Sequence, residues 1–329
     1  MNICRRQFLH LTAGAAALPF VPPIARTQAY PSRPITVVVG AAAGGPTDTI
    51  TRILTERLRA ALDQTLVIEN NGAATGTIAH GRTARAAPDG HTLSLGNWGT
   101  HVVNGAVYTL PYSVLADFEP ISLLVSNPQF IITKNAVPAK DLKELIAWLK
   151  ANQGRALAGT GGLGSAAHIT GLYFQKLTNT HFQFVPYRGT GPAQQDLVAG
   201  HIDLMFDLAA NAIPRVRAGQ IKAYAVTSKA RLSAAPDIPT VDEAGLQGLY
   251  TAFWHGLWAP KGTPKEIIGK LASAVVETLA DHGVRRRLAD LGQDIFPRDQ
   301  QTPEALAAFQ KSEIEKWWPI IKEAGIKAE

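Results

Sequence analysis

The chain alternates between short apolar runs and longer segments whose apolar residues recur every three to four positions. The short runs predict strands, and the longer segments predict helices. Because the two alternate from Ile35 to about Thr227, the pattern predicts an α/β protein with largely parallel sheets. The predicted strands are 35–39, 66–69, 91–96, 121–125, 129–133, 156–159, 182–186, 202–206, 222–227 and 253–259. The predicted helices are 47–62, 76–86, 140–152, 166–178, 192–199, 211–218, 264–281, 283–291 and 303–323.

Three of the predicted strands end in a glycine-rich turn that opens a helix, at residues 40–48, 159–165 and 187–192. Each turn exposes backbone N–H groups that the following helix cannot satisfy, and the helix dipole makes that end electropositive. Such an end is a binding site for a carboxylate or a phosphate. Three of them in one chain predict a protein that holds a small anion.

Two β-rich stretches predict crossings between two domains. The first, 118–134, is interrupted by the polar segment 126–128, and the second spans 252–260. A chain of 329 residues is long enough for two domains. Cutting at the crossings gives a discontinuous first domain, residues 30–131 plus 252–329, and a second domain, residues 132–251. We expect the two domains to face each other across a cleft and to close on a ligand there by a hinge motion.

The N-terminus has the pattern of an export signal. A twin-arginine pair, Arg5 and Arg6, precedes an apolar run that is too short to span a membrane. Thr27 and Ala29 are small residues at the positions that a signal peptidase reads, so we expect residues 1–29 to be removed and Tyr30 to begin the mature protein. The sequence therefore predicts a periplasmic location through a twin-arginine-type signal.

Composition and charge exclude several classes of protein. Hydrophobic residues make up 46% of the chain and charged residues 18%, which is typical of a globular protein. Without residues 1–29 the chain has 29 basic and 26 acidic residues, and the basic cluster 285–287 predicts a solvated helix face. This charge is too small and too scattered for a nucleic-acid partner. The only cysteine, Cys4, lies in the signal, and no pair of histidines has a spacing typical of a metal site.

The turn at 159–165 carries the G-x-G-x-x-G spacing of a dinucleotide-binding turn. The glycines are Gly159, Gly161 and Gly164. That function also requires an acidic residue about 20 positions further on to bind the ribose. Residues 178–190 contain no aspartate or glutamate. The sequence therefore favours a cradle for a carboxylate and predicts no cofactor.

Ser165, His168 and Asp207 suggest a second class of function, a hydrolytic or isomerising enzyme. The G-x-S-x-G elbow of a serine nucleophile is absent around Ser165, which is instead well placed as a helix N-cap. Loss of turnover in Ser165→Ala with binding retained would support the enzyme. Binding without turnover would support a receptor.

Three further side chains have two interpretations each. Trp98 follows a strand end and either forms a wall of the cleft or packs in the core. Arg188 either pairs with a second carboxylate of the ligand or is a solvated loop residue. Asp207 ends a strand and either accepts a hydrogen bond from the ligand or caps the next helix.

Short blocks along almost the whole chain match one family in order. They are 30–35, 44–48, 69–73, 86–93, 164–165 with His168, 186–190, 203–207, 225–228 with Arg231, 236–241 and 243–245. Together they resemble the extracytoplasmic solute receptors of tripartite tricarboxylate transporters, often called the Bug family. The resemblance implies two Rossmann-like domains joined by crossing strands, with the ligand's carboxylate held between them mainly by backbone N–H groups. We expect a monomer with no catalytic activity. The resemblance also implies a membrane permease or a sensor kinase as partner.

One departure from the family bears on the ligand. Members commonly carry Pro-Phe before the first glycine pair, where this chain has Gly40, Ala41 and Ala42. The smaller wall leaves room for a bulkier or aromatic acid than the usual amino-acid or citrate-type ligand. The residues expected to bind the ligand are Gly44, Gly45, Thr47, Asp48, Trp98, Gly162, Gly164, Ser165, His168, Tyr187, Arg188, Gly189, Thr190 and Asp207.

Overall fold

The computed structural model describes residues 30–327, and Arg33–Glu329 form one compact unit. The predicted signal peptide, residues 1–29, lies outside the described residues. The strands are β1 (Ile35–Val39), β2 (Leu66–Asn70), β3 (Thr92–Asn97), β4 (Phe118–Lys134), β5 (Leu157–Thr160), β6 (Gln183–Pro186), β7 (Leu204–Leu208), β8 (Ile221–Val226), β9 (Ala252–Pro260) and β10 (Asp294–Ile295). The α-helices are α1 (Pro46–Leu62), α2 (Thr77–Ala84), α3 (Asn104–Val107), α4 (Leu142–Ala151), α5 (Ala166–Thr178), α6 (Thr190–Ala199), α7 (Ala209–Arg217), α8 (Lys265–Ala280), α9 (His282–Asp290) and α10 (Pro303–Glu323).

The strands form a mixed sheet with two parallel groups. The order along the sheet is β2-β1-β3-β9-β4-β7-β5-β6, and β8 and β10 also pair with β4. Strands β1, β2 and β3 are parallel to one another, as are β5, β6 and β7. The antiparallel strands β4 and β9 join the two groups. The α/β prediction is therefore confirmed. None of the described helices has the length and apolar character to span a membrane.

Strand β4 runs without a break through both groups, so the predicted interruption at 126–128 is wrong. Its first part pairs with β9 as far as Pro128 opposite Ala252, and from Gln129 onward it pairs with β7 and β8. Proline lacks the N–H that a ladder needs, and Pro128 lies where the strand changes partners. The register also shifts between Leu123 and Ser126, which absorbs the polar segment within the strand. The proposed domain limits next to this strand remain a prediction.

Helix α10 packs near the carboxyl end of β3, where it contacts elements that adjoin both groups of parallel strands. Trp317, which is buried, lies edge-on against Trp98 just beyond β3, with 5.6 Å between ring centroids. The ring of Trp317 also packs edge-on against Tyr173 of α5, with 5.5 Å between centroids. Trp317 therefore contacts an element of the predicted first domain and an element of the predicted second domain.

Local sequence explains where the helices that frame the site begin. Pro46 and Pro303 occupy the first positions of α1 and α10, where a missing N–H is tolerated. Helix α5 begins after Ser165, whose Oγ accepts the backbone N–H of His168 at 3.3 Å. The basic cluster 285–287 lies exposed on α9, as predicted.

Candidate ligand-binding site

An open cleft of about 300 Å³ separates the carboxyl ends of β1 and β3 from the turn before α5. Three of the predicted site residues line it: Trp98, Gly164 and Ser165. The other lining residues are Gly40, Thr75, Asn97, Gly99, Thr100, Val103, Asn104, Val107, Tyr108, Leu163, Ala166 and Phe253. None of these described lining side chains carries a charge. An anion in this cleft would therefore depend on backbone N–H groups and neutral side chains.

The turn before α5 is held by its own hydrogen bonds. Gly162 and Gly164 have φ angles of 119° and 73°, in the left-handed region that favours glycine. The N–H of Ser165 donates to the carbonyl of Gly162 at 3.2 Å. The N–H of Gly164 donates to Nδ1 of His168 at 3.1 Å. The sequence predicted these four residues at the site, and the structure brings them together at one edge of the cleft.

Three backbone N–H groups at this edge remain available to a ligand. Within residues 30–327, the N–H groups of Leu163, Ala166 and Ala167 donate to no other protein group. They belong to the turn and the first turn of α5, where the helix dipole favours an anion. Leu163 and Ala166 also line the cleft. The arrangement can therefore bind a carboxylate without a basic side chain.

The Ser165–His168 pair does not form a catalytic arrangement. The Ser165 hydroxyl oxygen accepts the backbone N–H of His168, while Nδ1 of the imidazole accepts the N–H of Gly164. Burial lowers the pKa of His168, and its ring packs edge-on against Phe184 at 4.6 Å. Oγ of Ser165 and Nδ1 of His168 are thus both engaged in shaping the turn. The geometry gives no support to the enzyme alternative.

The opposite wall is formed by the turn after β3. The Asn97 N–H donates to Oγ1 of Thr100 at 3.0 Å, and the Thr100 N–H donates to Oδ1 of Asn97 at 3.0 Å. Behind them, Nδ2 of Asn97 donates to Oγ1 of Thr47 at 3.4 Å, and that oxygen lies 3.2 Å from Nε2 of His255. Thr47 is therefore buried behind the wall and does not line the cleft.

The first glycine-rich loop is closed mainly on itself. The N–H of Gly44 and Nε of Arg52 both donate to Oδ2 of Asp48, at 2.7 and 2.8 Å. Burial acts to raise the pKa of Asp48, but these hydrogen bonds outweigh it and the pKa is lowered. The N–H of Gly45 donates to the carbonyl of Ala42 at 3.2 Å. Gly44 and Asp48 line a separate open groove between α1 and α9.

Three buried histidines behind the cleft were not identified from the sequence. Burial lowers the pKa of His80 to about 4 and that of His255 to about 3, and it lowers the pKa of His101 well below its ordinary value. The imidazoles of His80 and His101 meet edge-on, with 4.8 Å between centroids. Their positions lie far apart in sequence, so no spacing could have revealed the cluster.

Gly40, in the segment where the resemblance leads us to expect Pro-Phe, lies against one of these histidines. A Cβ atom at Gly40 would come within 2.3 Å of Nε2 of His80. The imidazole is held in place by a 2.7 Å hydrogen bond between its Nδ1 and Oγ of Ser94. Only glycine fits at position 40 while His80 keeps this orientation.

The residues predicted around α6 lie outside the cleft as the structure has it. The Tyr187 hydroxyl donates to Oδ2 of Asp196 at 2.6 Å, and burial together with that carboxylate raises the pKa of Tyr187 to about 12. Arg188 is exposed and forms no ion pair within residues 30–327. Gly189 precedes the first residue of α6, Thr190, with a φ of 104°.

Asp207 lies directly before Leu208, the N-cap residue of α7, and its carboxylate bonds to the protein's own groups. Its carboxylate accepts the N–H of Leu208 at 2.8 Å and the side-chain amide of Asn211 at 3.2 Å. The amide of Gln194 is a third donor. Burial raises the pKa of Asp207 against the effect of these bonds. In the described chain, no group of three or more potential ligand side chains could hold a metal ion.

Comparison with known proteins decides the family. A family model of TctC, described as tripartite tricarboxylate transporter family receptor, matches residues 50–326. The chain belongs to the TctC family. It is therefore a solute-binding receptor and not an enzyme, as the Bug-family resemblance predicted.

Individual TctC-like proteins agree in sequence and fold. The Agrobacterium vitis UPF0065 protein in the TAR-I ttuE-ttuC′ intergenic region is 38% identical, over 97% of this chain and 92% of that protein. The superposition on the structure of the periplasmic binding protein BugD covers 91% of this chain and 100% of BugD, at 39% identity and a TM-score of 0.73. MatC from Rhodopseudomonas palustris, solved with bound malate, covers 89% of this chain and 100% of MatC, at 40% identity and a TM-score of 0.73.

Proposed function

We propose that this periplasmic receptor captures a small organic carboxylate, with dicarboxylates as the first class to test, at the turn before α5. The observation that carries the proposal is the set of available N–H groups at Leu163, Ala166 and Ala167, on the edge of a cleft without charged side chains. Backbone donors recognise a carboxylate through its charge and two oxygens. The malate bound to MatC supports the same ligand class.

We propose that the ligand's second charged group meets the turn before α6 when the cleft closes. Arg188 is exposed there and has no partner within the described residues, so its guanidinium can reach a second carboxylate. The closing bodies would be residues 30–131 plus 252–329 and residues 132–251. Strands β4 and β9, which pair at Pro128 and Ala252, would act as the hinge.

We also propose a membrane partner for the receptor and a route of export. The TctC family description names a transporter receptor, which supports a membrane permease as partner; a sensor kinase that recognises the closed form is the other candidate. Export would use the twin-arginine pair Arg5 and Arg6, followed by cleavage before Tyr30. The mature protein would act as a monomer.

A thermal-shift panel tests the ligand class. It contains C4 to C6 dicarboxylates including malate, matched monocarboxylates, aromatic acids, the corresponding amides, and NAD. A ligand at about 100 times its dissociation constant stabilises the folded state by about 2.7 kcal/mol, so a true ligand gives a clear rise in melting temperature. We expect at least one carboxylate to do so and its amide to fail. A shift from NAD, or equal shifts from amides and acids, would overturn the proposal.

Small-angle scattering on the same samples tests closure and oligomeric state. The radius of gyration should fall only with the acids that raise the melting temperature. The forward scattering should give the mass of a monomer with and without the acid. An unchanged radius with a stabilising acid would contradict the closing motion while leaving carboxylate binding intact.

A further inference from the structure

Two tryptophans donate to one carboxylate of α10, and a third packs against one of them. Oε2 of Glu313 accepts the indole N–H of Trp254 and that of Trp317, each at 3.1 Å. Trp98 packs edge-on against Trp317, with 5.6 Å between ring centroids. Trp254 belongs to β9 and Trp317 to α10, while Trp98 lines the cleft just beyond β3. One side chain therefore connects the hinge strand and the C-terminal helix directly, and a wall of the cleft through Trp317.

Lys316, one turn after Glu313 in α10, contacts the segment before β9 and the helix on the opposite side of the cleft. Nζ of Lys316 donates to the carbonyl of Tyr250 at 2.6 Å, just before β9. The same ammonium lies 5.0 Å from the ring centroid of Tyr173 and 4.5 Å from that of Trp317. Tyr173 is part of α5, whose first turn forms the opposite wall of the cleft. Lys316 thus connects α10 to the helix that carries the carboxylate cradle.

We propose that Glu313 and Lys316 are positioning residues for ligand capture. Glu313 holds Trp317, against which the Trp98 wall packs, Lys316 holds α5, and α10 sets the distance between the two walls. The inference rests on the proposed function in one respect: the ligand is taken to enter the cleft between Trp98 and the turn before α5. Neither side chain touches the ligand in this arrangement.

The chemistry of the cluster favours positioning over simple packing. Tryptophan rings pack well in an apolar environment without any acceptor, whereas a partly buried carboxylate is costly to desolvate. Burial accordingly raises the pKa of Glu313, although Lys316 and the indole N–H groups oppose the shift. What the carboxylate adds is direction, because each indole N–H must point at it. The orientation of the Trp317 ring is thereby fixed, and Trp98 packs edge-on against that ring.

The first test needs no ligand. Glu313→Met keeps the side-chain volume and removes the acceptor, Glu313→Gln keeps an acceptor oxygen without the charge, and Glu315→Met is the control at an exposed position of the same helix. Each is made with and without Trp98→Phe, and the difference in acrylamide quenching isolates the Trp98 fluorescence. We expect the Trp98 quenching constant to rise about fivefold in Glu313→Met, because Trp317, on which Trp98 packs, loses its acceptor; fivefold corresponds to about 1 kcal/mol, a typical net hydrogen bond.

The outcomes separate positioning from a structural role. Glu313→Gln and Glu315→Met should have the Trp98 quenching constant of the parent protein. Glu313→Gln retains an acceptor oxygen for the indole N–H groups, and Glu315 accepts from none of them. Unchanged Trp98 quenching in Glu313→Met would overturn the proposal. The proposal would also be overturned if the Trp98 quenching constant rose as much in Glu313→Gln as in Glu313→Met. If Glu313→Met does not fold, Lys316→Met decides by the same readout, with increased Trp98 quenching expected and no change contradicting the inference.

A second test uses malate in isothermal titration. If malate binds the parent protein, Glu313→Met should weaken it about tenfold, the factor that corresponds to roughly 1.4 kcal/mol. Glu313→Gln should restore the affinity to within about threefold of the parent. Wild-type affinity in Glu313→Met would overturn the role in capture. If malate does not bind the parent protein, that failure belongs to the proposed ligand class, and the quenching data alone judge the positioning.

Discussion

The backbone N–H of Gly164 donates a hydrogen bond of 3.1 Å to Nδ1 of His168, one turn into the following helix. An imidazole that accepts at Nδ1 is neutral and carries its proton on Nε2. The contact fixes the conformation of the turn whose free N–H groups form the proposed carboxylate cradle. Substitutions at His168, Gly164 and Ser165 each change one group of this turn.

Replacing His168 by phenylalanine should weaken binding of the acid that gives the largest thermal shift. The Gly164 N–H loses its acceptor, and the turn becomes free to move away from the binding conformation. We expect a loss of affinity of about tenfold, or roughly 1.4 kcal/mol, by isothermal titration. His181→Phe is the control, because His181 is exposed. Undiminished affinity in His168→Phe would show that the cradle does not depend on this contact.

Substitutions at Gly164 should separate backbone strain from charge. Its φ of 73° makes any side chain costly, at about 1 kcal/mol, so both Gly164→Ala and Gly164→Asp should lower the free energy of unfolding. Only aspartate places a negative charge beside the N–H donors. Binding should therefore be abolished in Gly164→Asp and merely weakened in Gly164→Ala. Equal affinities of the two variants would contradict an anion site at this turn.

Ser165 offers a matched set of three variants. Ser165→Ala removes the N-cap of α5 and should lower the free energy of unfolding by about 1 kcal/mol in urea denaturation. Ser165→Asn keeps a neutral cap, so its stability and affinity should both stay near those of the parent protein. Ser165→Asp also keeps the cap but repels an anion, so it should be stable and bind weakly. A Ser165→Asp protein that binds as tightly as Ser165→Asn would be evidence against the site.

The buried histidines predict how stability depends on pH. The pKa of His80 is lowered to about 4 in the folded protein, against an ordinary value of 6.5 when unfolded. Its contribution to stability is complete above pH 6.5 and is lost as the pH falls from there toward 4, because the unfolded chain then binds the extra proton. The expected slope is up to about 1.4 kcal/mol per pH unit for each such histidine.

Urea denaturation at pH 5 and pH 7 measures this slope. His80→Gln removes the titrating group and should reduce the stability difference between the two pH values. His181→Gln, at an exposed position, should leave that difference unchanged. Comparing variants in this way cancels the contribution of carboxyl groups such as Asp207, whose raised pKa acts in the opposite direction. A His80→Gln protein with the parent's full pH dependence would refute the argument.

Much of the fold could be predicted because its signals are local. The bounds of α5 and α10 were predicted correctly, since Ser165 and Thr302 supply N-caps directly before periodic apolar segments. The polar segment 126–128 misled the prediction because pairing partners, which depend on the whole sheet, decide whether a strand continues. The π-helical turn Gly99–Val103 was also missed, since it depends on the reciprocal hydrogen bonds of Asn97 and Thr100.

The site was predicted only as far as its backbone. Glycine patterns identified the turn at Gly164 because its conformation is encoded within a few residues. The cluster around Glu313 has no such signature, as Trp98 and Trp254 reach it from distant parts of the chain. For Thr47 and Asp207, the sequence identified polar residues next to the predicted turns. Only the fold determines that each of these side chains bonds to the protein's own groups.

The contact between Gly40 and His80 constrains the order in which this receptor can change. A larger residue at position 40 would collide with the imidazole, whereas a smaller residue at position 80 would first open an empty space behind the loop. A lineage, or a protein engineer, that aims to rebuild the first loop with bulkier side chains must therefore alter position 80 before position 40. Reprogramming of this receptor for new solutes should proceed through that two-step route.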